Sequence, residues 1–126
     1  MERGITGIQH IGIPTKKFGE TKAFFGKLGF VPAFETINDG DAVVFMRLGT
    51  LTVEIYESDE VAGCIGAIEH VALDVKAIEA TYQWICAEGL NTMDDEIHFL
   101  PFWDNGVRYF TIKGPNEEKV EFSQYL

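Results

Sequence analysis

The sequence predicts an α+β fold made of two βαβββ modules, which span residues 5–57 and 66–125 of a single domain. The first observation is a near copy: the segment IQHIGIPT at residues 8–15 recurs as IEHVALDV at residues 68–75, sixty positions later. The second is that this offset continues without a gap to a glycine in each copy, Gly29 and Gly89. One module is therefore expected to occur twice.

The chain has 126 residues, of which 46% are hydrophobic, which is enough for one compact core and too little for two ordinary domains. Ten Lys and Arg against 20 Asp and Glu give a formal charge of −10, with no basic run that would follow a phosphate backbone or an anionic membrane. We expect neither a nucleic-acid nor a membrane partner. Without a secretory or membrane-spanning stretch, a cytoplasmic protein is predicted. Cys64 and Cys86 lack metal-site or disulfide spacing and are expected to be reduced thiols.

In the first module, a strand is predicted at residues 5–13 because its side chains alternate in character, and Pro14 is expected to end it. Four residues then recur at the spacing of one helical face: Phe18, Thr21, Phe25 and Leu28. Gly29 supplies the left-handed cap that ends this helix. The remaining strands are predicted at residues 30–34, 42–48 and 51–56, with turns at 38–41 and 49–50.

Residues 57–66 are acidic and then small, which predicts a solvated linker. In the second module, Asp74 is expected to cap a helix that Gly89 ends. The apolar face of that helix carries Ile78, Tyr82 and Ile85.

Residues 90–93 are a short strand candidate and residues 94–96 a solvated loop. The pair Asn105-Gly106 predicts a tight hairpin turn, because both residues tolerate positive φ. It would join strands at residues 97–103 and 107–112, and a turn at 114–116 would lead into the last strand at 119–125.

Side chains in a strand alternate between two faces, so each histidine of the repeat opposes the apolar face of its strand. In the last strand of each module, Glu54 and Glu121 likewise oppose their apolar neighbours. Each module thus supplies one histidine from its first strand and one glutamate from its last: His10, Glu54, His70 and Glu121.

Two imidazoles and two carboxylates suit a divalent first-row ion such as nickel, cobalt, zinc, manganese or iron(II). Taken singly, each histidine is more often a hydrogen-bonded strand residue and each glutamate a solvated one. Their repetition favours a metal site, and the small residues Gly12 and Ala72 on the same faces would leave room above an ion.

The arrangement resembles the glyoxalase/bleomycin-resistance/dioxygenase superfamily, also called vicinal oxygen chelate proteins, over nearly the whole chain. The segments that carry the resemblance are residues 9–13, 22–30, 69–75, and 114–116 with 120–122. It implies a glyoxalase-like fold with a metal site in a cleft. In that family the ligands occupy the positions of His10, Glu54, His70 and Glu121, and this His-Glu-His-Glu set is that of the glyoxalase I branch. Pro14 stands where that branch carries an arginine.

The resemblance implies a lactoylglutathione lyase-like metalloenzyme that removes a proton from an α-hydroxycarbonyl or a hemithioacetal-type small molecule. Glu121 is the preferred base and Glu54 the alternate. The alternatives are a metal-dependent epimerase, an extradiol-type dioxygenase, and a metal-free protein that binds a drug. The resemblance also implies a homodimer whose two sites are shared between chains, with pairing of modules within one chain as the competing arrangement.

Further residues are candidates for substrate contacts. His98 is a candidate acid, base or ligand contact, although a single strand histidine near a hairpin is more often hydrogen-bonded. Five aromatic residues are candidates for a pocket roof or for the core: Phe99, Phe102, Trp103, Tyr109 and Phe110. Three cationic residues are candidates for binding an anionic group: Arg47, Arg108 and Lys119.

Overall fold

The computed structural model describes Gly4 and residues 7–126, and the chain separates into two compact units, Met1–Val61 and Ala62–Leu126. The described residues of each unit form one helix and one four-stranded mixed sheet, which confirms the predicted α+β class with a repeated β-α-β-β-β order. Among the described residues, no helix has the length and apolar character needed to cross a membrane. Cys64 and Cys86 are both free and exposed.

The elements of unit 1 are β1 Ile11–Thr15, α1 Phe18–Lys27, β2 Val31–Asn38, β3 Asp41–Leu48 and β4 Leu51–Glu57. Its sheet has the order β1-β4-β3-β2, with β1 parallel to β4 and the other pairs antiparallel. The strand predicted at residues 5–13 begins later, because residues 7–10 precede β1; residues 5 and 6 lie outside the described part of the chain. Gly29 follows α1 with a φ of 103°, as the predicted left-handed cap requires.

The prediction that Pro14 ends the first strand is wrong, because β1 continues to Thr15. The carbonyl oxygen of Thr15 accepts a hydrogen bond from the N–H of Ser58 at 3.1 Å, so the backbone of Thr15 faces β4. The backbone of Pro14 faces the opposite way, toward the open edge of the sheet. Proline is tolerated there because β1 is an edge strand of the sheet formed by the described residues, so the missing N–H removes no hydrogen bond of that sheet.

The elements of unit 2 are β5 His70–Asp74, α2 Ile78–Ala87, β6 His98–Leu100, β7 Val107–Lys113 and β8 Lys119–Tyr125. The sheet order is β5-β8-β7-β6, with β5 parallel to β8, so the topology of unit 1 is repeated. Gly89 follows α2 with a φ of 71°. The strand candidate at residues 90–93 is wrong, since this segment contains a turn instead.

The hairpin between β6 and β7 is longer than predicted. β6 ends at Leu100, and residues 101–106 connect it to β7, so Asn105-Gly106 is not a two-residue turn. Pro101 explains the early end of β6, because it has no N–H with which to extend the ladder. Positive φ angles occur at Trp103, 62°, and at Gly106, 94°.

Each sheet buries one face against the helix of its own unit. The core of unit 1 includes Phe25, Val44, Met46, Val53 and Ile55. The core of unit 2 includes Ile78, Ile85, Phe110, Ile112, Val120 and Phe122. The strand faces therefore alternate as predicted, and Glu54 and Glu121 lie on the faces opposite the helices.

The prediction that Asp74 caps α2 is wrong, because Asp74 is the last residue of β5. The N-cap residue is Ala77, which has no side-chain hydrogen bond to offer. The amide oxygen Oε1 of Gln124 in β8 instead accepts the hydrogen bond of the Ile78 N–H at 2.9 Å. A side chain from the last strand thus satisfies a donor that the helix itself leaves unpaired.

We expect Gln124→Ala to lower the free energy of unfolding by about 1 kcal/mol, because loss of an N-terminal cap costs that much. Urea unfolding followed by circular dichroism would measure the change. Gln83→Ala is the matched control, since Gln83 is exposed on α2 and alanine has a high helix propensity. Equal changes in the two variants would contradict a capping role for Gln124.

Candidate functional site

His10 and Glu54 form the candidate pair of unit 1. The register of β1 and β4 places Gly12 opposite Glu54, and His10 lies two residues before Gly12 on the same face. The Nε2 atom of His10 lies 3.3 Å from Oε1 of Glu54, whose side chain is 25% exposed. On its other side, Nδ1 of His10 lies 3.0 Å from Oε1 of Gln9. The ring packs edge-on against Phe45 with 5.4 Å between centroids.

His70 and Glu121 form the equivalent pair of unit 2. Here the register of β5 and β8 places Ala72 opposite Glu121. The Nε2 atom of His70 lies 3.8 Å from Oε1 of Glu121, whose side chain is 21% exposed. Nδ1 of His70 lies 3.4 Å from Oε1 of the preceding residue, Glu69. In both units, therefore, the same two atoms face each other: Nε2 of the histidine and Oε1 of the glutamate.

The electrostatics of each pair suit a cation. When Nδ1 carries the proton and donates it to the oxygen of Gln9 or Glu69, Nε2 turns a lone pair toward a carboxylate oxygen. Two facing acceptors attract a proton or a metal ion, and an imidazole nitrogen with a carboxylate oxygen is a common ligand combination for divalent first-row ions. The residues thus fit such an ion in type and orientation.

The structure brings the four predicted ligands together in twos: His10 with Glu54 and His70 with Glu121. Among the residues that the structure describes, no three His, Cys, Asp or Glu side chains form a metal-binding group. Each unit therefore supplies two of the four predicted ligands, one histidine and one glutamate.

The space beside the unit 1 pair is kept open by a small residue. A Cβ atom added to Gly12 would lie 3.7 Å from Cε1 of Tyr56 and 3.9 Å from Oε1 of Glu54, which are ordinary contact distances. Alanine would therefore fit, as it does at the equivalent Ala72, whereas a longer side chain would reach the carboxylate.

A cavity of about 330 Å³ adjoins the unit 1 pair and is lined by His10, Phe34, Phe45 and Arg47, among others. The Nε of Arg47 donates a hydrogen bond to Oγ1 of Thr52 at 3.2 Å. Of the three cationic candidates, Arg47 and Lys119 line cavities, whereas Arg108 pairs with Glu79 at 2.9 Å outside them.

A larger cavity of about 740 Å³ covers the helix-free face of the unit 2 sheet. All four strands contribute alternate residues to it, among them His70, Glu121, Thr111, Tyr109 and His98. Of the aromatic candidates, Phe102, Trp103 and Tyr109 line this cavity. Phe110 belongs to the core, and Phe99 is exposed.

Asp95 is the residue that sequence reasoning missed. It lies in the predicted loop, but its side chain is only 21% exposed rather than solvated. Its Oδ1 accepts a hydrogen bond from Nε2 of His98 at 2.7 Å, and its Oδ2 accepts one from the N–H of Thr111 at 2.9 Å. Its backbone carbonyl accepts hydrogen bonds from the Tyr82 hydroxyl at 2.6 Å and the Asn91 amide at 3.0 Å.

Burial alone would raise the pKa of Asp95, but the hydrogen bonds from His98 and from the N–H groups of Thr111 and Glu96 outweigh it and lower that pKa. Asp95 is therefore ionised at neutral pH. In the sequence, an aspartate three residues before a strand histidine could have indicated this hydrogen-bonded pair. A solvated loop was predicted instead, because three consecutive acidic residues are typical of one.

No protein-family model matches the sequence. Among curated proteins, the uncharacterized protein YwbC of Bacillus subtilis (strain 168) is 44% identical over 61 residues. The match covers 47% of this chain and 44% of YwbC, so it spans less than half of that protein.

Solved structures match over nearly the whole chain. A glyoxalase family protein from Enterococcus faecalis is 22% identical, with 93% of this chain and 96% of that chain covered and a TM-score of 0.72. The fosfomycin resistance protein FosX from Listeria monocytogenes, in complex with Mn(II) and sulfate, is 16% identical, with 97% and 94% covered and a TM-score of 0.71. These likenesses show that the chain has the fold of the glyoxalase family and fosfomycin resistance proteins, the vicinal oxygen chelate fold expected from the sequence.

Proposed function

We propose that this chain is a metal-dependent lyase or isomerase of the glyoxalase I type. Its substrate would be a small α-hydroxycarbonyl or hemithioacetal from which a carbon-bound proton is removed. The observation that carries the proposal is the repeated contact between a histidine Nε2 and a glutamate Oε1, 3.3 Å in unit 1 and 3.8 Å in unit 2. A shared fold with FosX, which was crystallised with Mn(II), supports a divalent ion.

In this proposal one nickel, cobalt, zinc, manganese or iron(II) ion is held by four side chains: His10, Glu54, His70 and Glu121. When bound, the ion would supply Lewis acidity, which eases removal of a proton beside a carbonyl. The chain's own contribution begins with Gln9 and Glu69, whose oxygens hold Nδ1 of each histidine and so direct Nε2 toward the carboxylate.

Glu121 is the proposed base, with Glu54 as the alternate. Among the described residues, His70 is the ionic partner of Glu121, so the carboxylate is not committed to a lysine or arginine. Its side chain is mostly buried yet borders the cavity of about 740 Å³, so a substrate carbon can approach it while bulk water has limited access. A carboxylate in that position can take a proton from one carbon and return it to the next.

We also propose that the protein is a homodimer in which modules of two chains share each site. A pair of ligands from one module supplies half of the four-ligand set, and a module of a partner chain or the other module of the same chain can supply the rest. In the shared arrangement His10 and Glu54 of one chain serve with the other two ligands of its partner, and two-fold symmetry generates two equivalent sites.

The first prediction concerns metal binding. Chelator-treated protein should gain thermal stability when nickel, cobalt, zinc or manganese is added, because binding to the folded form alone stabilises it, by about 2.7 kcal/mol at a metal concentration of 100 times Kd. Differential scanning calorimetry and elemental analysis would measure the gain and the occupancy. His10→Ala and His70→Ala should lose most of this gain, whereas His98→Asn should keep it. A gain that is absent, or equal in all variants, would exclude the proposed ligands.

The second prediction concerns the base. Glu121→Gln should lower turnover by about 100-fold or more, because an amide cannot take the proton. Its effect on metal occupancy should be smaller, since the amide still offers an oxygen. Exchange of substrate protons with deuterated water, followed by NMR on a panel of α-hydroxycarbonyls, measures turnover. Glu117→Gln is the control, because Glu117 pairs with Lys113 away from the cavities. Unchanged turnover at equal metal loading would leave Glu121 without a role as base.

The third prediction concerns assembly. His10→Ala and His70→Ala each damage both sites of a homodimer, but a mixed dimer would contain one intact site if ligands are shared between chains. Mixing the two variants should therefore restore about one ion per mixed dimer. Metal analysis of the dimer isolated with two different affinity tags gives the count. If subunits exchange and no binding returns, all four ligands come from one chain.

A further inference from the structure

The cavity of about 330 Å³ in unit 1 differs in charge from the larger cavity in unit 2. Among the described residues that line it, one is a cation, Arg47, and none is Asp or Glu. The cavity of unit 2 is lined by several carboxylates and a lysine: Glu69, Asp74, Asp95, Glu121 and Lys119. In a chain with a formal charge of −10, a negatively charged ligand therefore meets less repulsion in the cavity of unit 1 than in that of unit 2.

The guanidinium of Arg47 is held at this cavity by one hydrogen bond. Arg47 in β3 is paired with Thr52 in β4, and its Nε donates to Oγ1 of Thr52 at 3.2 Å. The bond occupies Nε and leaves the N–H donors of both Nη groups. In the described part of the chain, these donors have no hydrogen-bond or carboxylate partner. The guanidinium is thus fixed in place while most of its donors remain available to a ligand.

The other polar groups on the wall of the cavity also offer donors. The Thr52 side chain is buried, and its oxygen accepts from Arg47, which leaves its O–H to donate. Oε1 of Gln9 is taken by Nδ1 of His10, which leaves the amide hydrogens of Gln9. Nε2 of His10 faces Glu54, whose carboxylate does not line the cavity. The spare polar atoms are therefore donors, as an oxyanion requires.

Two phenylalanines supply an apolar wall beside these donors. Phe34 in β2 is paired with Phe45 in β3, and their ring centroids lie 6.3 Å apart. Phe45 packs edge-on against His10, whereas Phe34 is 59% exposed. An apolar group that covers the Phe34 ring gains about 25 cal/mol for each Å² removed from water. The cavity thus has an anion-binding end and an apolar end, and its volume suits a compact ligand.

The topology of the module does not require this arrangement. Arg47 is paired with the residue two before the glutamate of β4, and Lys113 is paired with the residue two before the glutamate of β8. Lys113 is therefore the equivalent of Arg47 in unit 2. Its Nζ lies 3.2 Å from Oε2 of Glu117, and neither residue lines the cavity of that unit. The contact between Arg47 and Thr52 thus serves the cavity rather than the fold.

We propose that the cavity of unit 1 binds the anionic group of a ligand, a carboxylate or a phosphonate carried on a compact apolar group. The Nη groups of Arg47 bind the oxygens of that group, and Thr52 is the positioning residue that holds the guanidinium.

The pairing of Ile11 with Val53 puts His10 level with Thr52, so the anionic group lies within about two strand spacings, roughly 10 Å, of the proposed metal ligand His10. That this ligand is the substrate rests on the proposed function. Binding of the anion itself needs no metal, so the two proposals can fail separately.

Benzoate and phenylphosphonate are the probes, and benzamide is the neutral counterpart of benzoate. Isothermal titration calorimetry of the chelated protein measures their affinities where no metal can bind the anion. We expect saturable binding of an anionic probe and an affinity about tenfold weaker in Arg47→Gln, since a charge-assisted hydrogen bond contributes at least that factor. Benzamide should bind more weakly than benzoate and should respond little to the substitution. Arg108→Gln is the matched control, because it removes the same charge outside both cavities and should leave the affinity unchanged.

Thr52→Val tests positioning, because valine has nearly the shape of threonine but no hydroxyl. The Nε–H resonance of Arg47 in ¹⁵N-labelled protein should shift in the absence of ligand, and the affinity for the anionic probe should fall several-fold while that for benzamide does not. A purely structural role for Thr52 would leave the resonance and both affinities unchanged.

Equal affinity for benzoate in wild type and Arg47→Gln would overturn the proposal, as would the absence of saturable binding by both anionic probes. Binding that requires metal and leaves the Arg47 resonance unshifted would also overturn it, since the anion would then lie on the metal and the proposed function would stand. Binding at Arg47 by a protein that takes up no metal would support the anion site and refute the proposed function.

Discussion

The candidate site depends on parallel pairing between the first and last strands of each unit. This pairing sets Gly12 beside Glu54 and Ala72 beside Glu121. A slip of one residue would turn every side chain of the last strand to the other face. In unit 1 such a slip would expose Val53, which is 2% exposed, and would bury a carboxylate under the helix. The hydrophobic core therefore fixes the register, and the contact between histidine and glutamate follows from it.

Features that repeat at a fixed spacing could be predicted from the sequence: the two modules, the helices ended by glycine, and the faces that carry the histidines and glutamates. Features that depend on distant residues could not. Gln124 caps α2 from 46 residues away, and local sequence pointed to Asp74 instead. Pro14 is compatible with β1 only because that strand lies at a sheet edge. Asp95 is partly buried and has hydrogen-bond partners in three separate elements, which its acidic neighbours in sequence did not indicate.

The two units share one topology but differ in the residue that stands opposite each glutamate. Opposite Glu54 stands Phe45, which makes an apolar wall against the His10 ring. Opposite Glu121 stands Thr111, whose N–H holds Asp95. Unit 1 therefore offers an apolar surface beside its glutamate, and unit 2 a polar one.

The prolines of unit 1 have a consequence for solubility. A four-stranded open sheet has two edges, each with unpaired backbone groups on which another chain can grow. At the β1 edge the outward-facing backbone positions are Gly12 and Pro14, and Pro14 has no N–H to offer an incoming strand. At the β2 edge Pro32 coincides with a register shift between Pro32 and Phe34, and such irregularities disfavour straight pairing. Each edge therefore carries a proline that disfavours amyloid-like strand addition beside it, which in β2 lies next to the exposed side chains of Val31 and Phe34.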